Sequence, residues 1–171
     1  MLANKLNLGC GQVRLPGYFG VDLVKTSAAD LAHDLNVTPY PFPADSVDEI
    51  IADNILEHLD DVIAVMEEWH RLCRHGAIIK ISLPYYKSSG AFTDPTHQHF
   101  FRENSFQYFT PEHKYHYYTK AKFKILKTQL LAENYNDRRH KIRNLLPGKK
   151  FLNYWLFNIY DGIYFELKCL K

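Results

Sequence analysis

Residues 4–11, Asn-Lys-Leu-Asn-Leu-Gly-Cys-Gly, constrain this chain more than any other stretch. A short apolar run stops at Gly9-Cys10-Gly11, and a second follows at Tyr18-Phe-Gly-Val-Asp22. Strand, glycine turn, strand ending in an acid is how a doubly wound nucleotide-binding sheet begins. The glycines carry no Cβ and tolerate positive φ, so the backbone there can approach a ligand closely. Asp22, at the carboxyl end of the second run, is positioned to accept hydrogen bonds from the two hydroxyls of a ribose. A dinucleotide fingerprint would have a third glycine where this chain has Arg14, which argues against a bound pyrophosphate.

The rest of the chain reads as a continuation of that sheet. Residues 12–17 are too few for a crossover helix, so the first helix reduces to a turn. Prolines 39, 41 and 43 make 36–46 a loop, and 47–52 reads as a buried strand. Asp60-Asp61 open a helix, as acids in a first turn do. Val62, Val65, Met66, Trp69, Leu72 and Cys73 recur at helical spacing, and His75-Gly76 reads as the helix end. A fifth strand spans 77–83 and another 123–132. Thr110-Pro111 reads as a helix start carrying Tyr115, Tyr117 and Tyr118. Residues 133–149 read as a basic loop, 151–160 as an aromatic helix and 163–170 as the last strand.

Composition sets outer limits. At 171 residues, 46% hydrophobic and 23% charged, the chain fits one domain, 1–171, with a proper core. No run approaches the roughly 18 apolar residues that span a bilayer, and Met1-Leu-Ala-Asn-Lys5 leaves no room for a signal peptide. Three scattered cysteines fit a reduced, cytoplasmic setting better than a disulfide framework. Net charge is −6 over 1–110, +8 over 111–150 and 0 over 151–171. The basic block reads as either a solvated face or a site for an anionic partner.

Leu6-Asn-Leu-Gly-Cys-Gly11 followed by Gly20-Val-Asp-Leu23 resembles the first motif of class I S-adenosylmethionine-dependent methyltransferases. Leu15-Pro-Gly-Tyr18, Leu56-Glu-His-Leu59 and Asp94-Pro-Thr-His97 resemble segments of a subgroup of small members. The resemblance runs motif by motif over 4–110, and only in strand order beyond. It implies an α/β, Rossmann-like, seven-stranded mixed sheet with an antiparallel last strand. It also implies that Asn7, Gly9, Cys10, Gly11, Asp22, Leu23, Asp34, Leu35 and Asp53 contact S-adenosyl-L-methionine, with S-adenosyl-L-homocysteine as product. The family often has an acid where this chain has Asn7; Asn orients a loop without supplying a charge.

Acceptor specificity falls to 87–118, read as a substrate-side lid, and to His58 after the fourth strand. Three readings of Asp94, His97 and His99 stay open. One histidine is a general base for a substrate hydroxyl; the two histidines with Asp94 hold a metal; or the segment is structural. His97, His99, Asp94 and His58 are the catalytic candidates, and no metal ligand is assigned. The resemblance suggests a small-molecule or glycan hydroxyl as acceptor, anionic if the basic block binds it. Alternatives are RNA, for which no binding module is recognisable, and a non-catalytic cofactor-binding scaffold. The aromatic helix reads as core by default, with a homodimer contact or a lipid-linked acceptor as the other readings.

Overall fold

A computed structural model describes residues 4–132 and 138–171, the side chain of Arg139 excepted. Its strands are β1 (Lys5–Leu8), β2 (Phe19–Asp22), β3 (Leu31–Ala32), β4 (Val47–Asp53), β5 (Cys73–Pro84), β6 (Phe123–Leu131) and β7 (Gly162–Cys169). They form one sheet in the order β3-β2-β1-β4-β5-β7-β6. β3, β2, β1, β4 and β5 pair in parallel, whereas β7 runs antiparallel to both β5 and β6. The seven-stranded mixed sheet, its antiparallel last strand and the missing first helix are as the sequence leads one to expect. Part of the expected basic loop, 133–137, lies outside the described residues.

Helix α1 (Val62–Leu72) begins where the acids predict. Asp61 caps it, its carboxylate accepting from the amides of Ile63 and Ala64 at 2.9 and 3.0 Å. Val65, Met66, Trp69 and Leu72 form its buried stripe. The end differs from expectation. Gly76 is not the cap: Cys73 is already extended, fully buried and the first residue of β5. Gly76, at φ +86°, falls where the β4–β5 register slips between Val47 and Glu49.

Three further expectations are corrected. No helix starts at Thr110; 3-10 turns at Ser105–Phe109 and His116–Tyr118 take its place. No residue from 111 to 118 is buried, so a helix there would have no face to dock, and short undocked helices are marginal. Residues 138–145, expected in a basic loop, are helical as α3 (Arg138–Leu145), while the expected aromatic helix is present as α4 (Lys149–Trp155), ending short of residue 160. The aromatic helix is not core: Phe151, Tyr154 and Trp155 are about 70% exposed, while the polar Asn153 is the buried member. Between β5 and β6 lies one more short helix, α2 (Gly90–Thr93).

Strand alternation divides the sheet into two unlike faces. Leu6, Leu8, Ile50, Ala52, Ile79, Ile81, Phe165 and Leu167 are buried on one. α1 and the 101–121 segment cover it, with the Phe106 ring 4.6 Å from that of Phe165. The other face carries Lys5, Glu49, Ile51, Ile78, Lys80, Glu166, Lys168 and Lys127, none of them buried. Glu49 ties this face together, bonding Lys5 at 3.0 Å and also Lys80. The reason lies in the connections. Right-handed crossovers leading outward from β1 to β2 and β3 would lay their helices on that face. Here both crossovers lack helices.

Candidate functional site

The glycine loop forms as its sequence requires. Gly9 and Gly11 both have positive φ, +67° and +54°. A Cβ on Gly9 would fall 2.5 Å from Ile55 Cγ1, so the loop presses against the turn that follows β4. A Cβ on Gly11 would meet nothing within 4 Å, leaving open space beside its bare backbone. Asp22 anchors this loop: one carboxylate oxygen accepts from the Gly11 amide at 2.7 Å, the other from Val24 at 3.2 Å. A carboxylate has about four lone-pair sites, so acceptor capacity remains for ribose hydroxyls. Asn7 is buried and donates to the Val13 carbonyl at 3.3 Å, which fixes the loop's return.

The other sequence candidates divide. Leu23 is 67% exposed beside Asp22, an apolar wall with nothing packed on it. Cys10 points inward to Ala28 and Ala29, so only its backbone faces the loop's concave side. Leu35 is in the main core, its carbonyl accepting from Tyr40 Oη at 2.7 Å. Asp34 turns the chain after β3, accepting from the Asn36 amide. Asp30, its neighbour in sequence, is consumed by Arg14 and by the Gly20 amide, both at 2.9 Å. Asp53 ends β4 and lines a cleft of about 820 Å³ with Asn54, Ser82, Ser89, His140 and Arg143. These residues fit an adenosyl cofactor: an open glycine cradle, an acid with lone pairs to spare and an exposed apolar wall beside it.

A second cleft, of about 490 Å³, shares Asn54, Pro84 and Gly90 with the first and is lined by Glu57, His58, Asp94 and His97. The segment after β5 is bound onto the turn after β4. The amides of Gln98 and His99 donate to the Glu57 carbonyl at 2.8 and 3.3 Å, and Gln98 Nε2 to that of His58 at 3.1 Å. His58, His97 and Asp94 are therefore brought together across about forty residues of chain. His99 is not part of that group; its Nε2 is buried without a partner among the described residues.

Hydrogen bonds assign the proton positions. Asp94 accepts from Thr96 Oγ1 at 2.6 Å, and this bond holds its carboxyl below the usual range. The Thr96 hydroxyl thus spends its proton on Asp94 and accepts from His58 Nδ1 at 2.8 Å. His97 Nδ1 lies 3.0 Å from the Ala91 carbonyl, which can only accept. Both imidazoles consequently carry the proton on Nδ1 and a lone pair on Nε2. Burial, and then the neighbouring His97, lower the pKa of His58.

Sequence reasoning passed over Glu57 and Thr96, although it quoted both. Glu57 is 1% exposed, and neither carboxylate oxygen has a hydrogen-bond partner among the described residues. Its Oε1 is 3.9 Å from His97 Nε2, and burial pushes its carboxyl up to about 7. One ligand atom from each of Glu57, His58 and His97 lies within 4.8 Å of the other two, a set that could hold a metal ion. The signal was positional: in Leu56-Glu57-His58 the glutamate adjoins a histidine already named as a candidate.

Comparison with known proteins gives the frame. Residues 6–81 match a family model described as a methyltransferase domain. A solved S-adenosylmethionine-dependent methyltransferase from Archaeoglobus fulgidus superposes with a TM-score of 0.61 at 16% identity, covering 96% of this chain and 85% of its own. One from Mesorhizobium loti gives 0.61 at 13%, covering 96% and 90%. Phosphoethanolamine N-methyltransferase 2 of Haemonchus contortus, solved with S-adenosyl-L-methionine, gives 0.58 at 14%, covering 98% of this chain and 48% of its own. At such identities the likeness is one of fold. Among curated proteins no sequence matches. The family model covers residues 6–81, the stretch that carries the glycine loop, Asp22 and Asp53, and the superpositions show that the whole chain shares its fold with solved S-adenosylmethionine-dependent methyltransferases.

Proposed function

We propose that the protein O-methylates a hydroxyl of a small-molecule or glycan acceptor bound in the Glu57–His58–His97 cleft. That cluster carries the reading. An amine free base attacks a methyl group without help, whereas a hydroxyl is a poor nucleophile until its proton is removed or acidified. Two imidazoles with Nε2 lone pairs, beside a buried carboxyl, supply what a hydroxyl needs. S-Adenosylmethionine, when bound, supplies an electrophilic methyl on a sulfonium sulfur. The chain's part is to bind, align and dry the reactants.

On this reading Gly9, Gly11 and Asp22 hold the cofactor by backbone and ribose contacts, with Leu23, Asp34 and Asp53 along the same edge. Cys10 contributes its backbone, and Asn7 and Leu35 support the loops. His58 and His97 act on the acceptor, and Asp94 positions His58 through Thr96. Residues 87–118 form the acceptor side. Exposed rings there and on the loop between α4 and β7, Phe92 stacked on Phe100 at 4.7 Å with Phe157 beside them, suit the flat faces of sugars. Free, buried Cys10, Cys73 and Cys169 fit a cytoplasmic enzyme. No helix of the described residues is long and apolar enough to cross a membrane.

The test is a methyl-transfer assay with S-adenosylmethionine against panels of glycosides, other alcohols, amines and short RNAs. A methyl ether and equimolar S-adenosylhomocysteine, seen by mass spectrometry, are expected with an alcohol. Methylated amines or RNA with every alcohol untouched would overturn the reading.

A further inference from the structure

Glu57 poses a problem that methyl transfer alone does not answer. A carboxyl group that is 1% exposed would ordinarily be hydrogen-bonded, because leaving it unpartnered is costly. Both of its oxygens lack a partner among the described residues. One ligand atom from each of His58 and His97 lies within 4.8 Å of one of these oxygens and of each other, His97 Nε2 at 3.9 Å from Oε1. Lone pairs that converge on one point without donors between them are what a cation requires.

We propose that Glu57, His58 and His97 form a binding site for a first-row divalent cation, zinc being the ion whose donor preferences they match best. Two histidines and a glutamate with a remaining position open are the donor set of an open, catalytic type of zinc site. The side chains around them suit the purpose. Ligating histidines are usually oriented by a bond from the other ring nitrogen to a carbonyl or carboxylate. His97 has such a bond to Ala91, and His58 reaches Asp94 through Thr96. The spacing is slightly open: Oε1 to Nε2 is 3.9 Å, where a tetrahedral ion with bonds of about 2.0–2.2 Å needs about 3.4 Å. The other pairs lie within 4.8 Å, so side-chain rotation has to draw the three atoms together around an ion. The rings of His58 and His97, 4.7 Å apart and inclined at 67°, already meet at a corner rather than face to face.

The inference rests on the acceptor cleft named above and gives it a mode of action. All three side chains line the cleft that would hold the acceptor, and an acceptor oxygen bound to an ion held there would become more acidic. His58 and His97 then serve as ligands. His99 lies outside the set.

Metal-stripped protein should be titrated with zinc by calorimetry. One equivalent is expected to bind. Glu57→Gln and His97→Ala should each weaken binding at least tenfold, whereas His99→Ala should leave it unchanged. S-Adenosylmethionine binding measured on the same samples reports whether each variant is folded. Cobalt in place of zinc should give visible absorption bands that Glu57→Gln loses, a readout independent of turnover. Absence of binding to the folded wild type, or equal binding by Glu57→Gln and His97→Ala, would overturn the site. Alcohol methylation undiminished by chelation in protein shown free of metal would do the same, and would make His58 Nε2 a direct base. Zinc binding without methylation of any alcohol would support the metal site and discard the acceptor reading instead.

Discussion

Thr96 Oγ1 stands 2.8 Å from Nδ1 of His58, thirty-eight residues back along the chain. With Asp94 behind it at 2.6 Å, this hydroxyl fixes which imidazole nitrogen keeps its lone pair for the cleft. Thr96→Val removes the hydroxyl and keeps the shape. Turnover should fall about 10- to 100-fold, the usual effect of losing a group that orients a site histidine. Affinity for S-adenosylmethionine should be unaffected, and Thr96→Ser should restore most of the rate. Equal turnover in Thr96→Val would make the bond ornamental.

Asp22 is asked to serve two partners. Asp22→Ala should weaken S-adenosylmethionine binding by about 1.5–3 kcal/mol, the scale of a charged hydrogen bond. The same change strands the Gly11 amide, so thermal stability should drop as well. Calorimetric affinity equal to wild type, in a variant that remains folded, would reject the ribose assignment.

The two loop glycines should not be equivalent. Gly9→Ala combines positive φ with a Cβ 2.5 Å from Ile55, whereas Gly11→Ala meets only the φ penalty. Urea denaturation should find Gly11→Ala destabilised by about 1–2 kcal/mol and Gly9→Ala by distinctly more, because overpacking adds about 1–3 kcal/mol. The reverse order would mean that Ile55 yields freely.

Acid stability should depend on Glu49. Burial alone would raise its pKa, but hydrogen bonds from Lys80, Lys5 and Tyr18 prevail and hold it at about 2. A depressed carboxyl contributes stability above its ordinary value, 4.5, and loses it as pH falls toward about 2. The gap in unfolding free energy between wild type and Glu49→Gln should therefore be widest above pH 4.5 and narrow below it. A gap indifferent to pH over that range would show that the carboxylate is not held by its lysines.

What was legible in the sequence was what short-range physics determines. Gly9 and Gly11 announce a positive-φ turn, Asp60-Asp61 the start of a helix, and residues 163–170 the last strand, which the fold sets at Gly162–Cys169. What failed needed tertiary knowledge. Thr110-Pro111 has good start chemistry but nothing to pack on. Gly76 resembles a cap until Cys73 is seen entering the sheet. The aromatic run after 149 suggested core by composition, yet its inward residue is Asn153, donating to Tyr85 Oη at 3.0 Å. The candidate site was legible in part: Asp94, His97 and His99 read as one segment and His58 as a separate signal, but only folding shows that His58 meets that segment and that His99 stands apart. Glu57 escaped because an acid after a strand is ordinary until its burial is known.

The two-faced sheet changes how this protein can fail. On the face without helices, solvation does what packing does elsewhere, and the side chains there answer to solubility before stability. Lys80 stands between Ile51 and Ile78, and Glu166 beside it. An apolar residue at position 80 would barely disturb the buried face, yet would join the two isoleucines into a stripe running across neighbouring strands. Such a molecule would give up the Lys80–Glu49 bond and melt somewhat lower, but its larger loss would come from sticking to its own copies as concentration rises.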